Sequence, residues 1–467
     1  MLIDPDSVLL GLDERQKDVA TTFGAPLAVL AGAGTGKTRA ITHRIAYGVA
    51  VGEYLAPKVL AVTFTNKAAA ELRGRLQQLG LPRVAARTFH SAALAQARFF
   101  WPQVYDAQLP QVRADRAALV EEGLARLGVK RDGALVQELD QEISWAKVNN
   151  VSPQDYAELA PKAGRDTTLD PDLMGKAYAR YEQVKNGLGV IDFEDIELCC
   201  CALLAENPQV ADEVRGTYRH LLVDEYQDVN PLQRTLLRLW LGAEPDITVV
   251  GDPAQTIHSF AGATSRYLED FTDEFPSGQV LRLTDNYRST PEIIAFANRV
   301  AKNNGVKALA LRAKAAPGDE PRIISAPDEL GEARAVAAWL DSLRPLPWSD
   351  MAVLYRTHAQ AESFLAALKE KDIPCQLGVD RPTGTPAVTL TTLHASKGLE
   401  WEAVAVAGVS EGSIPYPTAQ GQAQLEEEAR LLYVGITRAR SHLLLSWAER
   451  RNQRSARREV SRFLRGL

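Results

Sequence analysis

Cysteine is scarce in this sequence, with four among 467 residues. Three are adjacent, at positions 199, 200 and 201, and the fourth, Cys375, is far from them. This spacing matches no zinc motif, and the alternative to core packing is a redox or metal role. We therefore predict that the cysteines are packing residues on a helix, because a free thiol behaves in a protein core as a small hydrophobic group.

Long apolar runs are also missing. No stretch reaches the length of a membrane span, and the N-terminal segment MLIDPDSVLLG has neither the basic region nor the apolar core of a signal peptide. The composition, 46% hydrophobic and 24% charged, is typical of soluble globular proteins, and the length allows about three domains. We expect a cytoplasmic protein without membrane contact.

An excess of positive charge is absent too, because the net charge is −6. This argues against nucleic-acid binding through global charge, although it leaves room for a local basic groove. One segment has such a bias, since residues 449–467 contain seven arginines and two glutamates. On its own the segment is compatible with a solvated face as well as with a binding surface.

The most informative segment is LAVLAGAGTGKTRAITHRI, residues 27–45. An apolar run that predicts a buried strand is followed by a glycine-rich turn and a helical stretch. Such a turn cradles phosphates, because backbone N–H groups and the positive end of the helix dipole point toward the anion. Lys37 supplies a charge for the β- and γ-phosphates, and Thr38 a hydroxyl for Mg²⁺. The chain is therefore predicted to bind a nucleoside triphosphate through Gly32, Gly34, Thr35, Gly36, Lys37 and Thr38.

A nucleotide site of this kind needs acidic groups on a neighbouring strand, and HLLVDEYQD, residues 220–228, supplies them. Asp224 is expected to hold Mg²⁺, and Glu225 to orient and deprotonate the attacking water. The next apolar strand is followed by Gln255, which is placed to hydrogen-bond the γ-phosphate or the water.

Strand-like runs alternate with helical patterns in two series. The runs are 26–31, 59–64, 84–88, 219–223 and 247–251, then 279–283, 351–355, 387–391, 403–409 and 442–447. Between about 92 and 188 we find helical spacing, as in 114–129 and 133–150, and no convincing strand. This alternation predicts an α/β fold with parallel sheets covered by helices, interrupted by a helical insertion.

Eight segments occur in this order along nearly the whole chain: GAGTGKT (32–38), TFTNKAA (63–69), TFHS (88–91), DEYQD (224–228), GDPAQTIHSFAGA (251–263), NYRST (286–290), LHASKGLEW (393–401) and LLYVGITRAR (431–440). Together they resemble the motif set of the UvrD/Rep/PcrA helicases of superfamily 1. The resemblance implies an ATP-driven motor that moves 3′ to 5′ along single-stranded DNA. The implied domains are a first RecA-like domain at 1–91 plus 189–278, an α-helical insertion domain at 92–188 and a second RecA-like domain at 279–467.

The resemblance also implies roles around the nucleotide. Gln16 in LDERQ would contact the adenine edge, Tyr287 would stack on the base with Arg39 beside it, and Glu400 would hold the ribose. Two arginines from the second RecA-like domain, Arg288 and Arg438, would reach the γ-phosphate and couple hydrolysis to domain movement.

On the DNA side, the resemblance implies aromatic platforms and polar contacts to the backbone, as single-strand binding without sequence preference requires. For each lone phenylalanine, core packing is the alternative interpretation. The implied contacts are Phe64, Phe193 and Phe260 for stacking, and Asn66, Thr88, His90, His258, His394 and Lys397 for polar contacts.

Several positions depart from the family pattern. His258 stands where the family usually has tyrosine, Phe260 where many members have tryptophan, and Ala261 where arginine is usual. These exchanges weaken the expected DNA platform through loss of area and one charge. A helical domain called 2B is also expected between IPCQLG (373–378) and the LHASKG segment, but a short loop near 378–387 stands in its place, too short for a domain.

We therefore expect a helicase of DNA repair or replication that uses ATP and Mg²⁺, binds single strands and single-strand/duplex junctions, and is nucleoid-associated in the cytoplasm. Repair proteins are possible partners, and the chain is expected to be a monomer or weakly self-associating. The alternative is a DNA-binding ATPase that remodels protein–DNA complexes with little duplex unwinding. RNA as the substrate stays open, because contacts to 2′-hydroxyls cannot be read from sequence.

Overall fold

A computed structural model describes residues 3–129, 132–243, 245–259, 262–378, 386–452 and 454–466. The chain forms two compact units. Unit 1 comprises Met1–Val29, Thr38–Gly251 and His258–Leu281, and unit 2 comprises Leu30–Lys37, Asp252–Ile257 and Arg282–Leu467. Two segments from the earlier part of the chain, Leu30–Lys37 of the phosphate loop and Asp252–Ile257, are therefore grouped with Arg282–Leu467.

Helices and short strands alternate through the first 283 residues. They are α1 (Pro5–Leu9), α2 (Glu14–Thr21), β1 (Leu27–Ala31), α3 (Lys37–Ala50), β2 (Val59–Thr63), α4 (Asn66–Gln78), β3 (Ala85–Thr88), α5 (Phe89–Tyr105), β4 (Gln111–Val112), α6 (Ala117–Arg126), α7 (Gly133–Val148), α8 (Tyr156–Lys162), α9 (Pro171–Gly187), β5 (Val190–Ile191), α10 (Phe193–Glu206), α11 (Pro208–Thr217), β6 (His220–Val223), α12 (Pro231–Leu241), β7 (Ile247–Gly251), α13 (Arg266–Glu269), α14 (Phe271–Glu274) and β8 (Gln279–Leu283).

The remaining residues form a second alternating series. Its elements are β9 (Asp285–Asn286), α15 (Pro291–Asn303), β10 (Arg312–Ala313), β11 (Arg322–Ala326), α16 (Glu329–Ser342), β12 (Met351–Tyr355), α17 (Ala361–Glu370), β13 (Cys375–Leu377), β14 (Val388–Thr392), β15 (Trp401–Val406), α18 (Gln422–Ile436) and β16 (Ala439–Ala448).

The first sheet has six strands in the order β3-β2-β6-β7-β1-β8. Strand β2 pairs in parallel with β3 and β6, and β6 pairs in parallel with β7. All five residues of β2 are buried, as expected for a sheet covered on both faces. Parallel strands end at one edge of a sheet, so the TFTNKAA, TFHS and DEYQD segments, which follow β2, β3 and β6, lie along that edge.

The second sheet also has six strands, in the order β11-β16-β15-β12-β14-β13, and each of its strand pairs is parallel. Its central strand β12 is buried along its whole length. Two clusters of buried apolar residues pack around this sheet, one of them including α16 and α17, the other α15 and α18. Two parallel sheets with helices between their strands confirm the predicted α/β class.

The segment between β3 and β5 contains helices α5 to α9 and one strand, β4. Strand β4 pairs in parallel with β5, which corrects the expectation that this segment has no strand. Two residues suffice for this pairing, and a pair this short leaves no alternating pattern in the sequence. Leu124, Ile143, Met174 and Tyr181 belong to a common apolar cluster of these helices. The division into three domains remains a prediction.

Other differences concern the ends of elements. Strand β8 was expected to begin the second series, but it lies beside β1 in the first sheet. The run at 442–447 predicted a strand, whereas β16 begins earlier, at Ala439, soon after α18 ends at Ile436. Strand β11 was not predicted because four of its five residues are not buried.

Two of the four cysteines are buried on a helix as predicted, whereas Cys375 lies half-buried on strand β13. Cys200 and Cys201 are buried on α10, and burial raises the pKa of both thiols. None of the helices in the described part of the chain combines the length and apolar character that crossing a bilayer requires.

Candidate nucleotide and nucleic-acid sites

The phosphate loop is held by hydrogen bonds within unit 2. The Nδ2 atom of Asn286 donates to the Ala33 carbonyl at 2.7 Å, and the Tyr287 amide donates to the Gly34 carbonyl at 2.9 Å. Gly34 has a φ of +67°, and a Cβ there would lie 2.5 Å from Asn286 Nδ2. Glycine is therefore required at position 34 by both the backbone conformation and the close approach.

Asn286 was not among the residues predicted for the site, yet its contacts hold two of the predicted elements together. It is completely buried, and its Oδ1 accepts hydrogen bonds from the amides of Arg288 (3.0 Å) and Ser289 (2.8 Å). One side chain thus fixes the phosphate loop and the backbone of a predicted catalytic arginine. Asn286 is the first residue of the NYRST segment, but no local sequence pattern indicates that its side chain bonds the Ala33 carbonyl.

Gln255 and Arg438, two predicted catalytic residues, lie together in unit 2. Arg438 Nη2 donates to Gln255 Oε1 at 3.4 Å, and Gln255 Nε2 donates to Asp252 Oδ2 at 2.7 Å. The guanidinium is also bonded to the carbonyls of Val434 and Leu399, at 2.9 and 3.2 Å. Arg438 is buried, so these contacts fix its direction.

Arg288 forms an ion pair with Glu400. Glu400 pairs with Arg440 as well. Burial alone would raise the pKa of Glu400, but Arg288 and Arg440 outweigh this and hold its pKa below the ordinary value. The residue expected to hold the ribose therefore also neutralises the arginine expected to reach the γ-phosphate.

The two carboxylates predicted for hydrolysis follow β6 in unit 1. Asp224 is buried, and its Oδ1 accepts from the Glu225 amide at 2.9 Å. Glu225 has a φ of +55°, in the left-handed region that costs a non-glycine residue free energy. Its Oε2 accepts from Gln227 Nε2 at 2.5 Å. Strain at such a position is typical of functional sites.

The residues expected near the adenine have clear local reasons for their positions. Gln16 is buried in the capping box of α2, where its backbone N–H donates to Asp13 Oδ1 at 2.8 Å. A Cβ at Gly11 would lie 2.8 Å from Arg39 Nη2, so this guanidinium lies against the chain just before α2. Tyr287 is 47% exposed, as a stacking platform needs to be.

Of the predicted DNA contacts in unit 1, Phe64 is half-buried and its ring lies 5.6 Å from that of Phe89. Asn66 is exposed at the start of α4. Thr88 is buried and caps α5, since its hydroxyl accepts from the Ser91 amide at 3.1 Å. Capping explains why threonine suits position 88, whether or not DNA is bound.

His90 and Phe193 are brought together, with ring centroids 5.7 Å apart. Phe193 is 47% exposed, which fits a base-stacking platform better than core packing. His90 Nδ1 lies 3.1 Å from Oε1 of the buried Glu197, and Gln233 also donates to that oxygen at 3.3 Å. Burial raises the pKa of Glu197 to about 8 and lowers the pKa of His90.

Phe193 lies next to a buried cluster of ion pairs that includes Asp192 and Asp195, the residues on either side of it. Lys147 Nζ lies 2.7 Å from Asp195 Oδ1 and also pairs with Asp192, while Lys185 pairs with Asp195. Burial would raise the pKa of Asp192, but the two lysines outweigh it and lower the pKa. Glu182, Asp192 and Asp195 are close enough to hold a metal ion, but the ammonium groups already neutralise them. The cluster joins α7 and α9 to the start of α10.

Two predicted DNA contacts in the LHASKG segment, His394 and Lys397, have different surroundings. Burial, Arg356 and Lys397 lower the pKa of His394 to about 4, so its ring is neutral at physiological pH. Lys397 Nζ donates to the Gln255 carbonyl at 2.7 Å. His258 is half-buried, and Phe260 lies outside the described residues.

The arginine-rich segment after β16 turns back on itself. The Arg458 amide donates to the Glu449 carbonyl at 2.6 Å, and the Ser455 amide donates to the Asn452 carbonyl at 3.0 Å. Four of its arginines pair with carboxylates, namely Arg457, Arg458, Arg462 and Arg465. The three near the tip are exposed and, among the described residues, have no carboxylate partner: Arg450, Arg451 and Arg454.

Comparison with known proteins agrees with this geometry. Residues 12–276 match the UvrD/REP helicase N-terminal domain, and residues 281–381 and 378–450 match the UvrD-like helicase C-terminal domain. The chain is 37% identical to the ATP-dependent DNA helicase UvrD2 of Mycobacterium tuberculosis, with 100% of this chain and 83% of the relative covered. It is 32% identical to DNA helicase II of Escherichia coli, with 80% of this chain and 52% of the relative covered.

Proposed function

Because this chain belongs to the UvrD-like family of ATP-dependent DNA helicases, we propose that it is a motor that moves 3′ to 5′ along single-stranded DNA and acts in repair or replication. The observation that carries the chemistry is the pair at the end of β6. Glu225 is held in a left-handed conformation with its carboxylate fixed by a hydrogen bond, as a general base requires. Its neighbour Asp224 is buried beside it.

The phosphate groups of ATP would bind at the glycine-rich turn and the start of α3, where Lys37 and Thr38 are the first helical residues. Mg²⁺ prefers hard oxygen ligands, and the Thr38 hydroxyl with the Asp224 carboxylate is a donor set that fits it. When bound, the ion neutralises charge on the transferring phosphoryl group. Glu225 would take the proton of the attacking water, and Arg288 and Arg438 would stabilise the charge that develops.

Hydrolysis would be sensed through Gln255. Its side chain is bonded to Arg438 and Asp252, and its backbone carbonyl to Lys397. A change at the γ-phosphate would therefore reach the LHASKG segment through a short series of hydrogen bonds. This supports coupling between ATP turnover and movement on DNA.

The DNA path would run past the edge of the first sheet, where Phe64 and His90 follow β2 and β3, and past Phe193, whose ring lies beside that of His90. Exposed aromatic rings bind single strands without sequence preference, because each base has a face on which to stack. Single strands and single-strand/duplex junctions are therefore the expected ligands.

Limited unwinding is the second part of our proposal. The C-terminal family model matches in two segments that meet at 378–381, and the UvrD2 alignment spans 580 positions against 467 residues here, so the relative carries segments that this chain lacks. We infer that the 2B domain is the missing segment. A motor without it would translocate well and unwind long duplexes poorly, which favours remodelling of protein–DNA complexes as a second role.

The test is phosphate release with and without oligo-dT, followed by stopped-flow translocation on strands labelled at either end. We expect DNA to stimulate ATP turnover and the fluorescence of a 5′-end label to report arrival, with a lag that grows with strand length. Arrival at a 3′-end label instead would show the opposite polarity. Turnover unaffected by DNA would contradict the motor function.

A further inference from the structure

Gln227 lies two residues after Glu225, in the helical turn Tyr226–Asp228. Its side chain is completely buried. The Nε2 atom donates to Glu225 Oε2 at 2.5 Å, and a longer contact of 3.5 Å reaches Asp228 Oδ2. A buried amide has few alternative orientations, so this donor fixes one oxygen of the neighbouring carboxylate.

The backbone makes such a restraint necessary. Glu225 has a φ of +55°, and a non-glycine residue persists in this region only when its surroundings hold it there. The Asp224 side chain restrains the Glu225 amide, and the Gln227 side chain restrains the Glu225 carboxylate. The two bonds act on opposite ends of the same residue.

The end of β7 provides the space for this amide. A Cβ at Gly251 would lie 2.4 Å from Gln227 Oε1 and 3.2 Å from the Gln227 backbone nitrogen. Leu268 Cδ2 would lie 2.8 Å away, but a terminal methyl can shift. The backbone conformation of Gly251 is ordinary, so the close approach of Gln227 is what excludes a side chain here.

We propose that Gln227 is a positioning residue for ATP hydrolysis, which aims the Glu225 carboxylate at the attacking water and requires glycine at position 251. An N–H donor favours the ionised form of a carboxylate, which is the form that accepts a proton. The amide itself does not exchange protons. This role rests on the proposed function, in which Glu225 is the general base.

The primary test measures ATP turnover at saturating oligo-dT for Gln227→Ala and Gln227→Glu. In Gln227→Ala we expect kcat to fall roughly 10- to 100-fold, as small misplacements of a reacting group do. The KM for ATP should change little, and the melting temperature should fall somewhat because a completely buried side chain is removed. In Gln227→Glu, two carboxylates would meet, so the acidic limb of the pH profile of kcat should move to higher pH. A structural role would not produce that movement.

Gly251→Ala tests the same contact from the other side and stays informative if Gln227→Ala folds poorly. Gly251→Ala should lower kcat in the wild-type background. Its effect should be much smaller in combination with Gln227→Ala, because the Gln227 Oε1 atom that the new Cβ would meet is then absent. Gly74→Ala is the matched control, since a Cβ at Gly74 meets nothing within 4 Å.

The failures are distinguishable. If Glu225→Gln is inactive while Gln227→Ala keeps normal kcat and pH dependence, the positioning role is wrong and the general base stands. If Glu225→Gln keeps normal turnover, the general base itself is wrong. Equal effects of Gly251→Ala in both backgrounds would also overturn the role of Gln227.

Discussion

Lys397 donates a hydrogen bond from its ammonium group to the main-chain oxygen of Gln255, 2.7 Å away. Gln255 accepts from Arg438 through its side chain. A lysine expected to contact DNA phosphates is thus bonded to a residue expected to sense the γ-phosphate. Hydrogen bonds to charged groups are the stronger ones, so this contact is suited to carry a signal in either direction.

For Lys397→Gln, we expect lower DNA-stimulated ATP turnover even at saturating oligo-dT, because the charge-assisted bond to Gln255 is lost. The slope of log affinity against log salt should also decrease by about one if the ammonium contacts a phosphate. Lys369→Gln, an exposed change on α17, is the control and should alter neither quantity. Full turnover at saturating DNA would show that Lys397 only contributes to binding.

The chemical step is tested by Lys37→Ala and Glu225→Gln. Each should lower DNA-stimulated turnover by at least about two orders of magnitude, since positioning and electrostatic stabilisation supply most of phosphoryl-transfer catalysis. Glu225→Gln should still bind ATP, because glutamine is isosteric and Thr38 and Asp224 remain. Lys37→Ala should bind it more weakly. Equilibrium binding of a fluorescent ATP analogue separates the two variants.

The phosphate loop could be predicted because its signals are local. An apolar run, three glycines and a helix start lie within one short segment, and buried parallel strands such as β2 read as continuous apolar runs. The place of the two carboxylates expected to act in hydrolysis could be predicted for the same reason, since they directly follow such a strand.

The contacts that complete the site could not be predicted in this way. Asn286 and Ala33 are separated by 253 residues, and no periodicity links them. Gln227 lies only two residues after Glu225 in the sequence, but its importance depends on the space left by Gly251 at the end of β7. Strand β8 was assigned to the wrong sheet because alternation gives the order of strands along the chain and not their neighbours in space.

Base stacking is tested by Phe193→Ala and Phe64→Ala. Both should weaken oligo-dT binding, by roughly 1–3 kcal/mol for each stacked base. Phe193 is 47% exposed, so its loss should hardly change the melting temperature, whereas Phe64 contacts Phe89 and its loss should lower it. Phe99→Ala is the control, because Phe99 is 60% exposed on α5 and has no predicted contact with DNA. A fall in melting temperature without loss of affinity would make either residue a packing residue.

The buried Glu197 predicts a pH dependence of stability. Its pKa, about 8, lies above the ordinary value of a glutamate, so the unfolded chain releases this proton more readily. The free energy of unfolding should therefore decrease as pH rises from about 5 to about 8. Glu197→Gln has no such proton and still accepts hydrogen bonds from His90 and Gln233. It should gain stability over the wild type at pH 8 and little at pH 5, as measured by urea unfolding; an equal difference at both pH values would contradict the raised pKa.

We expect the arginine-rich segment after β16 to act in duplex unwinding, and its residues Arg450, Arg451 and Arg454 are exposed. Guanidinium groups bind phosphates, but they lack the area of a large aromatic ring for stacking at a fork. Changing all three to glutamine should weaken binding to a duplex with a 3′ tail and reduce its salt dependence, while binding to oligo-dT changes little. Arg465→Gln is the control, because Arg465 pairs with Glu459.

If the 2B domain is the missing segment, as we propose, the wild-type monomer with these arginines intact should translocate on single strands and unwind only short or weak duplexes that carry a 3′ tail. The reason is mechanical: two RecA-like domains are expected to suffice for stepping along a strand, but exposed arginines are the proposed contacts with the duplex ahead of the fork, and no domain is expected to hold it. Single-turnover assays with DNA in excess over protein, on tailed duplexes of increasing length, measure this. Unwinding of long duplexes under those conditions would show that neither a 2B domain nor a large aromatic ring stacked at the fork is required.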